Sequence, residues 1–168
     1  SDGISIGANA LTLNSGTIRD AAGNGATLTH SAVSASSSYM VDAILPTVDS
    51  VEITSATTGM QNNFLNAGDV VSMTATFSEV VNTTGTPQLT LAVGSDNRTA
   101  TYASGTGSAP LVFQYTIQAG DNDTDGISIG ADALALDNGT ISDPAGNNAI
   151  LTHSAVSDNN SYKVDTTA

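Results

Sequence analysis

The sequence predicts an all-β protein built from two packed sheets and repeated in tandem. Three observations lead there. Apolar residues alternate with Thr and Ser at period two through most of residues 48–117, and no window of about 11 residues carries the i, i+3, i+4 pattern of a helix. Gly, Asn and Asp interrupt the chain at short intervals, as turns between strands require. Finally, residues 2–42 return at 125–165 with a constant offset of 123 and no gap, about 29 of the 41 positions being identical.

The elements follow in order. Val51 and Ile53 share one face of a first strand, and Val71, Met73, Ala75 and Phe77 alternate with Ser72, Thr74 and Thr76 in a second. Leu89, Leu91 and Val93 make a third, Ala100 and Tyr102 a short fourth, and Leu111, Phe113, Tyr115 and Ile117 a strong fifth. Each has one face for a core and one for water. After Asp125 the pattern shortens to Ile127/Ile129, Leu134/Leu136, Ile141, Ile150/Leu151 and Tyr162/Val164. Asn138-Gly139 and Asp143-Pro144-Ala145-Gly146-Asn147 read as turns. Short strands about ten residues apart, with no helix, predict a β-sandwich of immunoglobulin or fibronectin type. The Cys and Trp of antibody domains are missing, so the expectation concerns architecture alone.

The repeat also predicts domain boundaries. Residues 46–168 make one complete Ig-like repeat, and residues 1–45 the C-terminal part of a preceding one. Pro46 marks the junction, because proline fixes φ and pushes its predecessor toward extended geometry. Alone, residues 1–45 leave Ile4, Ile6, Leu11, Leu13 and Ile18 without a facing sheet. Either the segment is trimmed from something longer, or it pairs with another chain, or the true unit is permuted.

Composition excludes several function classes. Three Lys and Arg stand against 16 Asp and Glu, for a net charge of −13. Nucleic acid and anionic membranes both ask for a basic face. No apolar run is long enough to span a bilayer, so no membrane insertion is expected. Without cysteine there are no disulfides, no thiol chemistry and no thiolate zinc site. His30 and His153 are one position in two copies, each in a Leu-Thr-His-Ser-Ala-Val run, and no Ser/Asp constellation accompanies them. An enzyme is not expected. Lys163 has Met40 as its counterpart, which argues against a general Lys–Asn crosslink.

Fourteen of the 16 acids are Asp, a turn former and a short-armed ligand for hard cations. The sharpest local pattern is Asp121-Asn122-Asp123-Thr124-Asp125-Gly126. Asp at positions 1, 3 and 5 with Gly at 6 opens a calcium loop, here flanked by strands, and Asp132 falls at position 12. The alternative is an acidic, Asx-rich hairpin loop. The first copy retains Asp2 of this loop and has Asn9 in place of Asp132. A second candidate is the inter-repeat junction, where Asp42 with Asp49, joined by Glu52, and Asp165 at the far end could share calcium between neighbouring domains. Asp20/Asn24 and Asp143/Asn147, in the D-x-A-G-N segments, read as Asx turns with Gly23 and Gly146 at positive φ.

The run FSEVVNTTGTPQLTLAVGSDNRTATYASGTGSAPLVFQYTIQAGDNDTDGISIGADAL, with GTISDPAGNNAILTHSAV and SYKVDTTA, resembles the repeats of very large bacterial surface proteins. It is similar to the immunoglobulin-like arrays of giant adhesins and to the repeat of a cyanobacterial cell-surface protein associated with swimming. The resemblance implies secretion to the cell surface and a calcium-stiffened array of β-sandwiches in which neighbouring repeats are the partners. It implies a structural extender in which the repeats lengthen the protein and its ends bind. The alternatives are a filament or surface-layer subunit self-associating through residues 1–45, and a glycan-binding adhesin module. The resemblance transfers no ligand-binding residue.

Overall fold

A computed structural model of the protein describes residues 3–56, 60 and 62–167. The chain divides into two compact units, Ser1–Ala43 and Ile44–Ala168, a division just ahead of Pro46. The first unit contributes β1 (Ile4–Ile6) and β2 (Val33–Ser36), an antiparallel pair. The second contributes β3 (Val48–Ala56), β4 (Phe64–Leu65), β5 (Val70–Thr84), β6 (Gln88–Val93), β7 (Asp96–Ser104) and β8 (Ser108–Thr116). The short strands β9 (Asn122–Asp123), β10 (Leu134–Ala135), β11 (Thr140–Ser142) and β12 (Lys163–Asp165) complete it. The described residues contain no helix.

In the second unit, seven strands form a sheet in the order β10-β6-β7-β8-β5-β11, with β3 also on β5. A three-stranded sheet runs β4-β12-β9. All five strands expected between residues 48 and 117 are present, with the inward residues that alternation assigns: Val71, Met73, Ala75 and Phe77 on β5, and Leu111, Phe113 and Tyr115 on β8. Full burial of such side chains stabilises by about 1.5–3 kcal/mol each. The fifteen-residue β5 pairs with β3 and β8 along its first half. A register shift between Thr76 and Val81 then turns it, so that Asn82–Thr84 pair with β11. This long strand curls the sheet.

After Asp125 the expected strands are fragmentary. Ile129 and Val156 meet in an isolated bridge, as do Thr47 and Ile150, instead of extending into ladders. Turns recur too often for more: Asp132, Asp137 and Asn138 all have positive φ. Phe64–Leu65 is a strand that alternation could not reveal at two residues, and it runs parallel to β12. Ile127, Ile129, Leu134, Ile141 and Val164 nevertheless join Phe77, Met73 and Phe113 in one core.

The first unit repeats the turns of residues 125–165 one for one. Asn9, Asn14 and Ser15 have φ of 54°, 42° and 69°, and Asp132, Asp137 and Asn138 have 54°, 43° and 63°. Gly3 and Gly126 are required for one reason: a Cβ at either would collide with the carbonyl oxygen of Ser36 or of Asn159. The apolar side chains of this unit, in contrast, are largely exposed.

Candidate functional site

The acidic loop after β8 is held by its own carboxylates. Asp121 is buried, and both its oxygens accept hydrogen bonds: Oδ1 from Arg98 Nε at 2.7 Å, Oδ2 from the Tyr115 hydroxyl at 2.7 Å and from Gln118 N–H at 2.8 Å. Burial pushes the Asp121 carboxyl upward, but the Gln118 N–H, the Tyr115 hydroxyl and the Arg98 guanidinium together hold it below the usual carboxylate range. Tyr115 moves the other way. Burial, reinforced by its bond to the Asp121 anion, pushes its phenol up to about 12. Arg98 also pairs with Asp96 at 3.1 Å, so one side chain ties the β6–β7 turn to the loop.

Asp123 is also buried and joins two turns. Its Oδ2 accepts from Gly94 N–H at 2.8 Å and its Oδ1 from Gly126 N–H at 2.7 Å. Gly94, in the two-residue turn between β6 and β7, has a φ of 58°, and a Cβ there would strike the carbonyl oxygen of Asn122. Asp125 faces solvent, because Gly126, with φ of 109°, ends the alternation that turned Asp121 and Asp123 inward. The three carboxylates therefore do not converge as a calcium loop requires. Two of them hold N–H and O–H donors of the protein, and among the described residues the three do not form a group within 4.8 Å. Asp2 lies outside the described residues.

The other expected ligands are dispersed. Asp132 accepts His153 N–H on Oδ1 at 2.9 Å. Asp49, at the start of β3, lines with Asp132 and His153 an open depression of about 650 Å³. Asp165 is exposed and accepts from the Thr167 hydroxyl and N–H, which lower its pKa. Asp42 is an exposed residue of the first unit. Glu52 is exposed on β3.

The D-x-A-G-N segments are turns in both copies. Asn147 donates its N–H to Asp143 Oδ1 at 2.8 Å and its side-chain amide to Oδ2 at 2.7 Å. Asn24 does the same to Asp20, at 2.8 Å for each bond. The Asn24 side-chain bond leads in lowering the Asp20 pKa. At Asp143 burial acts upward, and the Asn147 bonds and neighbouring N–H groups outweigh it.

The histidines hold turns too. His153 Nε2 lies 2.9 Å from Ala133 N–H, which donates to it, and Nδ1 lies 2.8 Å from the Ser154 carbonyl. Accepting on one nitrogen and donating from the other requires the neutral imidazole with its proton on Nδ1. His30 repeats the arrangement with Ala10 and Ser31. The role of Arg98 escaped the sequence reading. The available signal was that residues 46–168 hold a single arginine among many acids; three of those acids, Asp121, Asp123 and Asp143, are buried.

No family model matches the chain, and neither the curated proteins nor the solved structures yield a match.

Proposed function

We propose that the chain is a structural extender segment of a large secreted bacterial surface protein, and that it acts without catalysis. Ile44–Ala168 is read as one β-sandwich module of immunoglobulin or fibronectin type. The observation that carries this reading is that the polar residues repeated between the copies hold the backbone. Asp143, Asn147 and His153 each fasten a turn, and Asp20, Asn24 and His30 fasten its equivalent. Recognition units diverge in such loops, whereas a repeated mechanical part keeps them. Each module is a stiff block in this reading, and a junction of a few residues about Pro46 restricts bending.

Calcium remains part of the proposal as a stiffener acting on exposed carboxylates, including Asp125, Asp49 and Asp165, rather than as an ion enclosed by Asp121 and Asp123. Divalent cations would relieve the repulsion that a charge of −13 imposes between neighbouring repeats. The test is a melting curve and a small-angle scattering profile of the chain, each taken with calcium and with excess chelator. A lower melting temperature and a shorter maximum dimension in chelator are expected. Identical curves would remove calcium from the account. Asp123→Ala is a poor probe of metal, because it strips Gly94 and Gly126 of their acceptor whatever the calcium concentration. Asp125→Asn is the cleaner variant.

A further inference from the structure

We infer that the outer edge of β3, with the depression beside it, is a docking site for an extended cationic peptide segment that adds to the sheet as a further strand. β3 is nine residues long and pairs with β5 alone, so its other edge carries no ladder among the described residues. Such an edge offers a row of N–H and C=O groups to any chain that can lie beside it. The depression has extended segments of the second unit in its lining. Thr47 and Ile150 meet in a parallel bridge, with Ile150 N–H on the Pro46 carbonyl at 2.8 Å, and beyond it the two segments part. Residues 48–51 and 152–155 both line the open space of about 650 Å³ that results. The backbones of Thr152 and Ala155 bond to no other segment among the described residues.

Charge selects the occupant. Asp49 and Glu52 are exposed on β3, and neither carboxylate has a hydrogen bond or ion pair among the described residues. Asp132, which also lines the depression, accepts His153 N–H on Oδ1 and has no partner on Oδ2 among the described residues. A second copy of β3 would bring the same acids against these, on a chain of net charge −13. Register shifts between Val48 and Ser50 and between Ile53 and Ser55 break the edge further and disfavour pairing with an identical strand. A segment with Lys or Arg at alternate positions instead sets opposite charges across the new ladder, because alternate side chains of a strand share one face. The strand edge supplies the binding mode, and the acids supply the sign of the partner. The inference concerns the second unit alone and stands whether or not the chain is an extender or binds calcium.

The probe is a short synthetic peptide alternating lysine with valine, titrated into the full chain at low salt and followed by amide NMR shifts. Saturable shifts concentrated in β3 and residues 152–155 are expected. Asp49→Asn combined with Asp132→Asn should weaken binding by about three- to tenfold. Asp132→Asn keeps the local turn, since Asn9 Oδ1 accepts from His30 N–H at 3.1 Å in the first copy. The same peptide N-methylated throughout keeps its charges but has no N–H for a ladder, and should bind at least about tenfold more weakly. A glutamate–valine peptide should give no shifts. Equal binding by the N-methylated peptide would overturn the inference, because charge attraction alone would then suffice. Shifts scattered over the other acids, or none at millimolar peptide, would overturn it too. So would self-association of the chain through β3, which would give the edge to a second copy.

Discussion

Arg98 donates from Nε to Asp121 Oδ1 at 2.7 Å, and the carboxylate it meets is fully buried while about a third of the Arg98 side chain remains open to water. This pair, with the Tyr115 hydroxyl on the other carboxylate oxygen, fastens β7 and β8 to the loop that leads into the repeated segment. Removing one partner of a buried pair is costly because the other charge stays behind. Arg98→Ala should lower unfolding free energy by about 2–3 kcal/mol, below the usual 3–5 because Arg98 is partly solvated. Urea denaturation of Arg98→Ala, Asp121→Asn and the double variant measures the coupling, which should exceed about 1 kcal/mol.

Acid should destabilise the second unit through Asp121 and Asp143. Both carboxyls are held below their ordinary value of 3.8 in the fold, so the unfolded chain binds more protons in that range. Their contribution is fully present above pH about 4 and is lost as pH falls through their folded values. Denaturation midpoints taken from pH 6 downward should stay level to about 4.5 and then drop. Asp121→Asn should flatten part of that drop.

Base acts through Tyr115. Its folded value of about 12 lies above the ordinary 10, so the folded state retains a proton that the unfolded chain releases. Stability from this group is present below pH 10 and is lost as pH rises through 12. Phenolate absorbance should show a step from Tyr115 delayed beyond the ordinary value. Tyr115→Phe should abolish the late step.

Equivalent substitutions should have unequal effects in the two copies. Asn147→Ala keeps the backbone N–H on Asp143 Oδ1 but takes the side-chain donor from Oδ2 of a buried carboxylate, and should lower stability by about 1–3 kcal/mol. Asn24→Ala removes the equivalent side-chain bond from an exposed Asp20, so the main unfolding transition should move much less. Chemical denaturation of each single variant checks the comparison.

The strong strands were legible because their residues alternate over six or more positions with one face wholly apolar, as Val71 to Phe77 and Leu111 to Ile117 do. Leu65 was not, since a two-residue strand has no period and its pairing with Val164 spans most of a repeat. The hydrogen-bond partners of the acidic loop were hidden for a related reason. Spacing places Asp121, Asp123 and Asp125 on one side of an extended segment, but spacing does not reveal that Arg98, Tyr115, Gly94 and Gly126 supply donors to the first two. In the D-x-A-G-N turns all partners lie within five residues, so the local pattern was sufficient.

The central claim is that residues 3–43 and 126–165 are one structural part, exposed in one instance and covered in the other. Placing a second copy of residues 46–124 ahead of residue 1 in the full chain tests it most directly, with amide hydrogen exchange as the readout. The account predicts that the Ile6 and Ala26 amides slow to the exchange rates of Ile129 and Ala149, and that binding of an apolar dye falls. Unchanged exchange at Ile6 and Ala26, with dye binding retained, would contradict it.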